Sequence, residues 1–198
     1  MSPTRGERDR RQEILDAAFA RFSRYGFRNT AMDDIARAAG VSRPLVYQHF
    51  ANKEAVLREL AEQLHERALA DAADRLADAS LDLPAQVAGA LVAKLRIPVE
   101  LIGASEHHDE LMDTSSRLAG DIAAAGLQRY EALLHRRLSA ARRAGELPAR
   151  TDGVPVTQLV RLLRESASGI AEGALANPDN WQARVTALAR LVLQKEQP

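Results

Sequence analysis

Thr30–Leu57, TAMDDIARAAGVSRPLVYQHFANKEAVL, is the stretch whose reading decides the fold. Its first part reads as a short helix opening at Thr30, whose hydroxyl is placed to accept from the free amide of Asp33. Met32, Ile35 and Ala36 give that helix one apolar face. Gly40 follows Ala38 and Ala39 where the chain must take a positive φ to leave the helix, a conformation a side chain would penalise. Ser42 then caps a second helix, and Pro44 is tolerated in its first turn, where an amide would have no intrahelical partner. Leu45, Val46 and Phe50 face inward, so Arg43, Pro44, Tyr47, Gln48 and His49 point outward. Asn52 caps a third helix, with Lys53 in its first turn. Two short helices at a sharp turn, the second exposing polar side chains and slim enough for a groove about 12 Å wide, is an arrangement that reads DNA.

Upstream, Ile14, Leu15, Ala18, Phe19 and Phe22 form an apolar stripe, and Tyr25-Gly26-Phe27 ends that helix. From about Arg10 to Leu60 the chain resembles the N-terminal domain of the TetR family of bacterial transcriptional repressors. The resemblance extends to Tyr47, one residue, His49-Phe50, then Asn52-Lys53-Glu54. It implies an all-α protein with a three-helix helix-turn-helix DNA-binding domain in residues 1–52. Residues 53–198 would form a helical bundle carrying a ligand pocket and a dimer interface. The implied partners are a double-stranded, palindromic operator, a second copy of the chain and a small, largely apolar effector, with no cofactor. On the DNA face, Arg43 suits bidentate contact with guanine and Gln48 suits adenine. Thr30, Tyr47, His49 and Lys53 are expected mainly at phosphates, with Pro44 beside them.

Charge is distributed to match. The 198 residues carry no net formal charge, but residues 1–58 hold eleven Arg or Lys against seven Asp or Glu, and the remainder holds sixteen against twenty. The basic end is the end with the turn motif, as an electrostatic footprint on DNA requires. Arg5, Arg8, Arg10 and Arg11 read as an arm before the first helix, touching phosphate or minor groove, or alternatively as a solvated tail. Cysteine is absent, which excludes a disulfide framework, a thiol nucleophile and a zinc finger. The charged N-terminus is unlike a signal peptide, and no apolar run reaches the ~18 residues of a membrane helix, so a soluble, cytoplasmic protein is expected.

Beyond Leu57 the apolar spacing stays helical and never alternates as in a strand. Val56, Leu57, Leu60 and Leu64 continue the Asn52-capped helix, which is expected to link the two domains. Leu83-Pro84 restarts a helix through Val87, Leu91 and Leu95, and Pro98 and Gly103 bend the chain before Glu106. Leu127, Tyr130, Leu134, Leu138 and Ala141 share one face of a long helix ended by Gly145. Val156 to Ala174 and, after Asn177-Pro178, Trp181 to Val192 form two last helices. One recognition helix reads too few bases to select a genomic site, so two copies are needed. Gly169 and Gly173, near Ser166, make a strip of small side chains that lets another helix approach. With the family's pattern of a four-helix interface, this places Val160, Leu163, Gly169, Gly173, Trp181, Val185, Leu188 and Val192 at the dimer contact. The effector pocket is expected between Leu83 and Ala141, lined in part by Leu91, Leu95, His107, Met112 and Tyr130.

Other functions are weaker readings. Glu106, His107, His108, Asp109 and Glu110 stand together, but adjacent helical residues point about 100° apart, so His107 and His108 do not face one ion, and no metal site is assigned. Gly103-Ala104-Ser105-Glu106-His107 matches a nucleophile elbow only in its first three positions and lacks the preceding strand. No phosphate loop is present. An enzyme is therefore not expected. The remaining alternative is a helical adaptor whose basic end binds no DNA, a role that gives Tyr47, Gln48 and His49 no reason to cluster outward.

Overall fold

The computed structural model describes residues 5–103, 105–176 and 179–195, excluding the side chains of residues 5, 7, 8, 101 and 176. Among these residues there are eight α-helices and no strand. They are α1 (Arg5–Tyr25), α2 (Met32–Ala38), α3 (Arg43–His49), α4 (Lys53–Ala77), α5 (Leu83–Arg96), α6 (His108–Arg143), α7 (Val156–Ala176) and α8 (Trp181–Leu193). A π-helical turn, Ile97–Ile102, follows α5, and a 3-10 turn, Ala149–Thr151, precedes α7. The chain forms two compact units, residues 1–64 with 104–123, and residues 65–103 with 124–198. The domain boundary expected at 52/53 thus falls inside the first unit, which also takes the start of α6.

In the first unit, α1 to α4 bury Ile14, Leu15, Ala18, Phe22, Ile35, Val46, Phe50 and Val56. The turn between α2 and α3 forms as Gly40 dictates. Gly40 sits at φ 66°, its N–H donates to Arg37 O at 3.3 Å, and Val41 N–H donates to Ala36 O at 3.1 Å. That pattern satisfies two carbonyls left over at the end of α2. The cap of α2 differs from the sequence reading by one residue. Ala31 is the capping position, and the Asp34 carboxylate reaches back to accept from Ala31 N–H at 2.9 Å. Ser42 takes the N-cap position of α3 without a side-chain capping bond. Asn52 Oδ1 accepts from Ala55 N–H at 2.8 Å, so it caps α4 as expected.

The basic arm requires a correction. Backbone from Arg5 onward is already helical, and the Arg5 and Arg8 side chains lie outside the described residues. Arg11 is half-buried and tied to its own unit. Its Nε donates to Glu59 at 2.6 Å, its Nη1 donates to His49 O at 3.0 Å, and its guanidinium stacks 4.4 Å over Phe50.

The start of α6 is tied to the end of α1. Glu110 accepts from Arg28 N–H at 2.7 Å and the Ser105 hydroxyl donates to Ser23 O at 2.6 Å. Gly26, at φ 80°, makes room, because a Cβ there would lie 2.5 Å from the Glu110 carboxylate. Further along, Arg58 grips Asp121 through two bonds of 2.8 and 2.7 Å, close to a break in α6 at Ala119 (φ −134°, ψ 20°).

The second unit is built on the stripes read from the sequence. Val87 and Leu91 of α5, Tyr130, Leu134, Leu138 and Ala141 of α6, Leu159, Leu163 and Ala167 of α7, and Trp181 and Val185 of α8 form one buried cluster. At its edge Lys94 Nζ lies 3.1 Å from His65 Nδ1. Burial, and then the neighbouring Lys94 charge, pull the His65 imidazole down to about 4. An ordinary histidine titrates near 6.5, so between those values the unfolded chain binds the extra proton and the folded chain does not. Stability should therefore fall as pH drops from about 6.5 toward about 4. Urea unfolding at about pH 7 and about pH 4.5 should show His65→Gln losing less stability on acidification than the parent. An equal loss in both proteins would show that His65 is not the group responsible.

Candidate nucleic-acid interface

α3 is a helix of seven residues with one side sunk into the first unit. Val46 and Phe50 are buried and Leu45 is half-buried, which leaves Arg43, Pro44, Tyr47 and Gln48 exposed and His49 half-buried. Tyr47 keeps 43% of its surface accessible, a large value for an aromatic ring that could have packed inward. Arg43 is poised by two neighbours. Its Nε lies 3.0 Å from Asp33 Oδ1, its Nη1 donates to Asp33 Oδ2 at 3.1 Å, and its guanidinium lies 5.5 Å from the Tyr47 ring centroid. Asp33, which the sequence reading left unassigned, is thus the partner that aims Arg43. An exposed pair of this kind contributes little, so a guanine edge or phosphate can displace the carboxylate.

Two of the expected phosphate contacts serve the fold instead. Thr30 is 1% exposed, and its hydroxyl donates to Gly26 O at 2.8 Å. It holds the turn between α1 and α2 and is not presented to a ligand. Lys53 directs its ammonium at three carbonyl oxygens, those of Phe27 at 2.8 Å, Thr30 at 3.1 Å and Arg28 at 3.3 Å, and sits 4.5 Å from the Phe27 ring centroid. An ammonium has three N–H groups, so none remains for a phosphate in this arrangement. A lone lysine in a first helical turn looks the same in sequence whether it faces solvent or carbonyls, and only the path of residues 27–30 separates the two.

The expected effector lining divides between the two units. Leu91 and Tyr130 belong to the buried core of the second unit and Leu95 packs against it. The Tyr130 hydroxyl has no hydrogen-bond partner among the described residues, and burial pushes its pKa upward. His107 and Met112 belong to the first unit. The His107 ring lies beside Gly26, 3.9 Å from Glu110, and Met112 is exposed. Among the described residues no group of three or more His, Asp or Glu is arranged to hold a metal.

The expected dimer residues also divide. Val160, Leu163, Trp181 and Val185 are buried within the chain itself, and Leu188 and Val192 pack partly against the same core. Those positions mark the inner faces of α7 and α8. Gly169 and Gly173 lie on the outer face, where a Cβ on Gly169 would meet nothing within 4 Å. Leu162 (50% exposed), Leu175 and Leu191 (75% exposed) are apolar side chains left in solvent on the same two helices. Leu162, Ser166, Gly169 and Gly173 follow one another at helical spacing. That register was present in the sequence but hidden beneath the longer inward stripe.

Comparison with known proteins agrees with this geometry. Residues 14–60 match the family model for bacterial regulatory proteins of the tetR family. The transcriptional regulator AcrR of Shigella flexneri is 44% identical over 52 residues, and TtgR of Pseudomonas putida is 41% identical over 56. Those matches cover 26% and 28% of this chain, and they span only about a quarter of the relatives' own length, 24% and 27%. Over nearly the whole chain the fold is similar to that of SmeT, the repressor of the Stenotrophomonas maltophilia multidrug efflux pump SmeDEF. The TM-score is 0.66 at 26% identity, covering 90% of this chain and 85% of SmeT. A SmeT-triclosan complex shares the fold at a TM-score of 0.70 and 23% identity, covering 94% and 93%. No helix among the described residues is long and apolar enough to cross a membrane. With the turn motif and the exposed face of α3, residues 14–60 carry the pattern of the tetR family of bacterial regulatory proteins, and the chain as a whole shares the fold of SmeT.

Proposed function

We propose that this protein is a transcriptional repressor that binds a palindromic operator as a homodimer and leaves it when a small molecule binds. The observation that carries this reading is the one-sided burial of α3, with Arg43, Pro44, Tyr47 and Gln48 outward and Val46 and Phe50 beneath. Arg43 and Gln48 take base edges, and Tyr47 and His49 take phosphates. The likeness to SmeT, a pump repressor whose fold has been seen with triclosan, supports an effector that is small and largely apolar. An effector releases DNA only to the extent that it prefers the arrangement that cannot bind DNA. A second copy of the chain is the partner for the outer face of α7 and α8, where Leu162 and Leu191 flank the open strip at Gly169 and Gly173.

An operator selected from random duplexes by the purified protein provides the test, read by fluorescence anisotropy. Arg43→Ala should cost about 1 to 3 kcal/mol at that operator and relax one base position. Lys53→Met should lower the melting temperature, with a loss of about 2 kcal/mol, and leave the slope of log K against log salt unchanged. A reduced salt slope with an unchanged melting point would return Lys53 to the phosphates. Failure to enrich any duplex would overturn the DNA-binding assignment itself.

Gly169→Leu separates interface from fold. Replacing an exposed mid-helix glycine should leave the monomer as stable as before or stabilise it by about 0.5 to 1 kcal/mol, since nothing lies within reach of the new side chain. Across a close helix pair the same leucine should force the subunits apart. Sedimentation should then show Gly169→Leu and Leu191→Glu as monomers with operator affinity lost. Dimers of normal affinity from both variants would place the interface on another face.

A further inference from the structure

Among the described residues of the second unit, Lys94 is a cation with no carboxylate counter-ion. Lys94 on α5 is half-buried, and its one polar partner among the described residues is Nδ1 of His65 on α4, at 3.1 Å. An ammonium donates three hydrogen bonds, and an imidazole nitrogen accepts one only while it carries no proton, so two donors of Lys94 have no acceptor among the described residues. Gly126 of α6 also comes near His65, so near that a Cβ there would lie 3.3 Å from Nδ1. The pair thus sits where α4, α5 and α6 meet. Leu91, one turn before Lys94, belongs to the apolar core, and Leu95 packs against it.

Stability does not account for such a group. Burial penalises a charge unless a partner offsets it, and a methionine of nearly the same length would fill the place without that cost. Burial does lower the Lys94 pKa, and the same effect on His65 keeps the imidazole neutral, so the pair carries a single positive charge near neutral pH. Both side chains are half-buried. A half-buried ammonium on a helix whose neighbouring turn carries Leu91 and Leu95 suits an anion attached to an apolar body. A free inorganic anion is left poorly served by the leucines, and a neutral apolar molecule leaves the ammonium as unpaired as before.

We propose that Lys94, backed by His65, is the recognition point for an organic anion, a carboxylate or sulfonate head on an apolar body, and that the effector of this repressor belongs to that class. The second half of the inference rests on the repressor reading above. The first half stands on the geometry of the unit alone.

A matched pair of dyes tests it on the full-length protein. 1-Anilinonaphthalene-8-sulfonate carries the anionic head, and N-phenyl-1-naphthylamine has the same aromatic body without it. Fluorescence titration should show the sulfonate binding at least about tenfold more tightly than the neutral dye to the parent protein. Lys94→Met should abolish that preference while leaving the neutral dye within about twofold, and Lys94→Arg should retain it. Lys94→Met should melt no lower than the parent, whereas a merely structural bond to His65 would lower the melting temperature. Equal affinity for both dyes in the parent, no binding of the sulfonate, or a preference that survives Lys94→Met would each overturn the anion site. Operator binding by the parent protein, measured separately without dye, reports on the repressor reading. A protein that binds its operator and shows no Lys94-dependent preference would lose this proposal and keep that function.

Discussion

A helix of seven residues does not hold itself in water, because isolated helices shorter than about 12 to 15 residues are marginal even with favourable composition. α3 must present Arg43, Pro44, Tyr47 and Gln48 to solvent, so only its other side is available for burial. Everything around it compensates for that shortage. Val46 and Phe50 anchor the buried side, and Arg11 stacks on Phe50 while donating to the carbonyl of His49 at the helix end. Asp33 ties Arg43 back to α2. Lys53 gathers three carbonyls from the loop that leads into α2. Several basic residues of the N-terminal region are therefore structural clamps, and the surface left for a ligand is smaller and more specific than the charge count suggests.

Clamps of this type also explain why a basic region tolerates its own charge density. Arg11 is matched by Glu59, Arg58 by Asp121 and Arg43 by Asp33. Each guanidinium presents a planar fork that suits a carboxylate, so pairing fixes direction as well as charge. Of these three, Arg43 has the most exposed side chain and the easiest release. An arginine held in place by a weak exposed pair is already oriented when a base edge arrives, which reduces the ordering cost of recognition.

In the second unit the same chain has the opposite problem, too much apolar surface for one side of each helix. α7 and α8 bury an inner stripe that includes Leu159, Leu163, Trp181 and Val185, yet still leave Leu162 and Leu191 in water. Two stripes on one helix overlap in sequence, because residues three and four apart serve either face depending on where the count begins. Lys94, whose one polar partner among the described residues is His65, is the polar counterpart of those leucines.

The sequence by itself determined the local features: the all-helical periodicity, the turn at Gly40, the Asn52 cap, and the division of α3 into Val46 and Phe50 within and Arg43, Tyr47 and Gln48 without. These depend on backbone sterics and on contacts a few residues apart, which residue order specifies directly. What only the tertiary structure decided were partnerships across long separations. Thr30 and Lys53 looked like solvent-facing polar residues until the carbonyls of residues 26–30 were placed around them. Val160 and Trp181 looked like interface until the core claimed them. His107 and Met112 stood near Tyr130 in the expected pocket but fold into a different unit. Periodicity states that a residue lies on a face, and the folded chain alone states what that face meets. The physical reason is that burial and hydrogen bonding are set by whichever segment arrives opposite, and that segment is named nowhere in the local pattern.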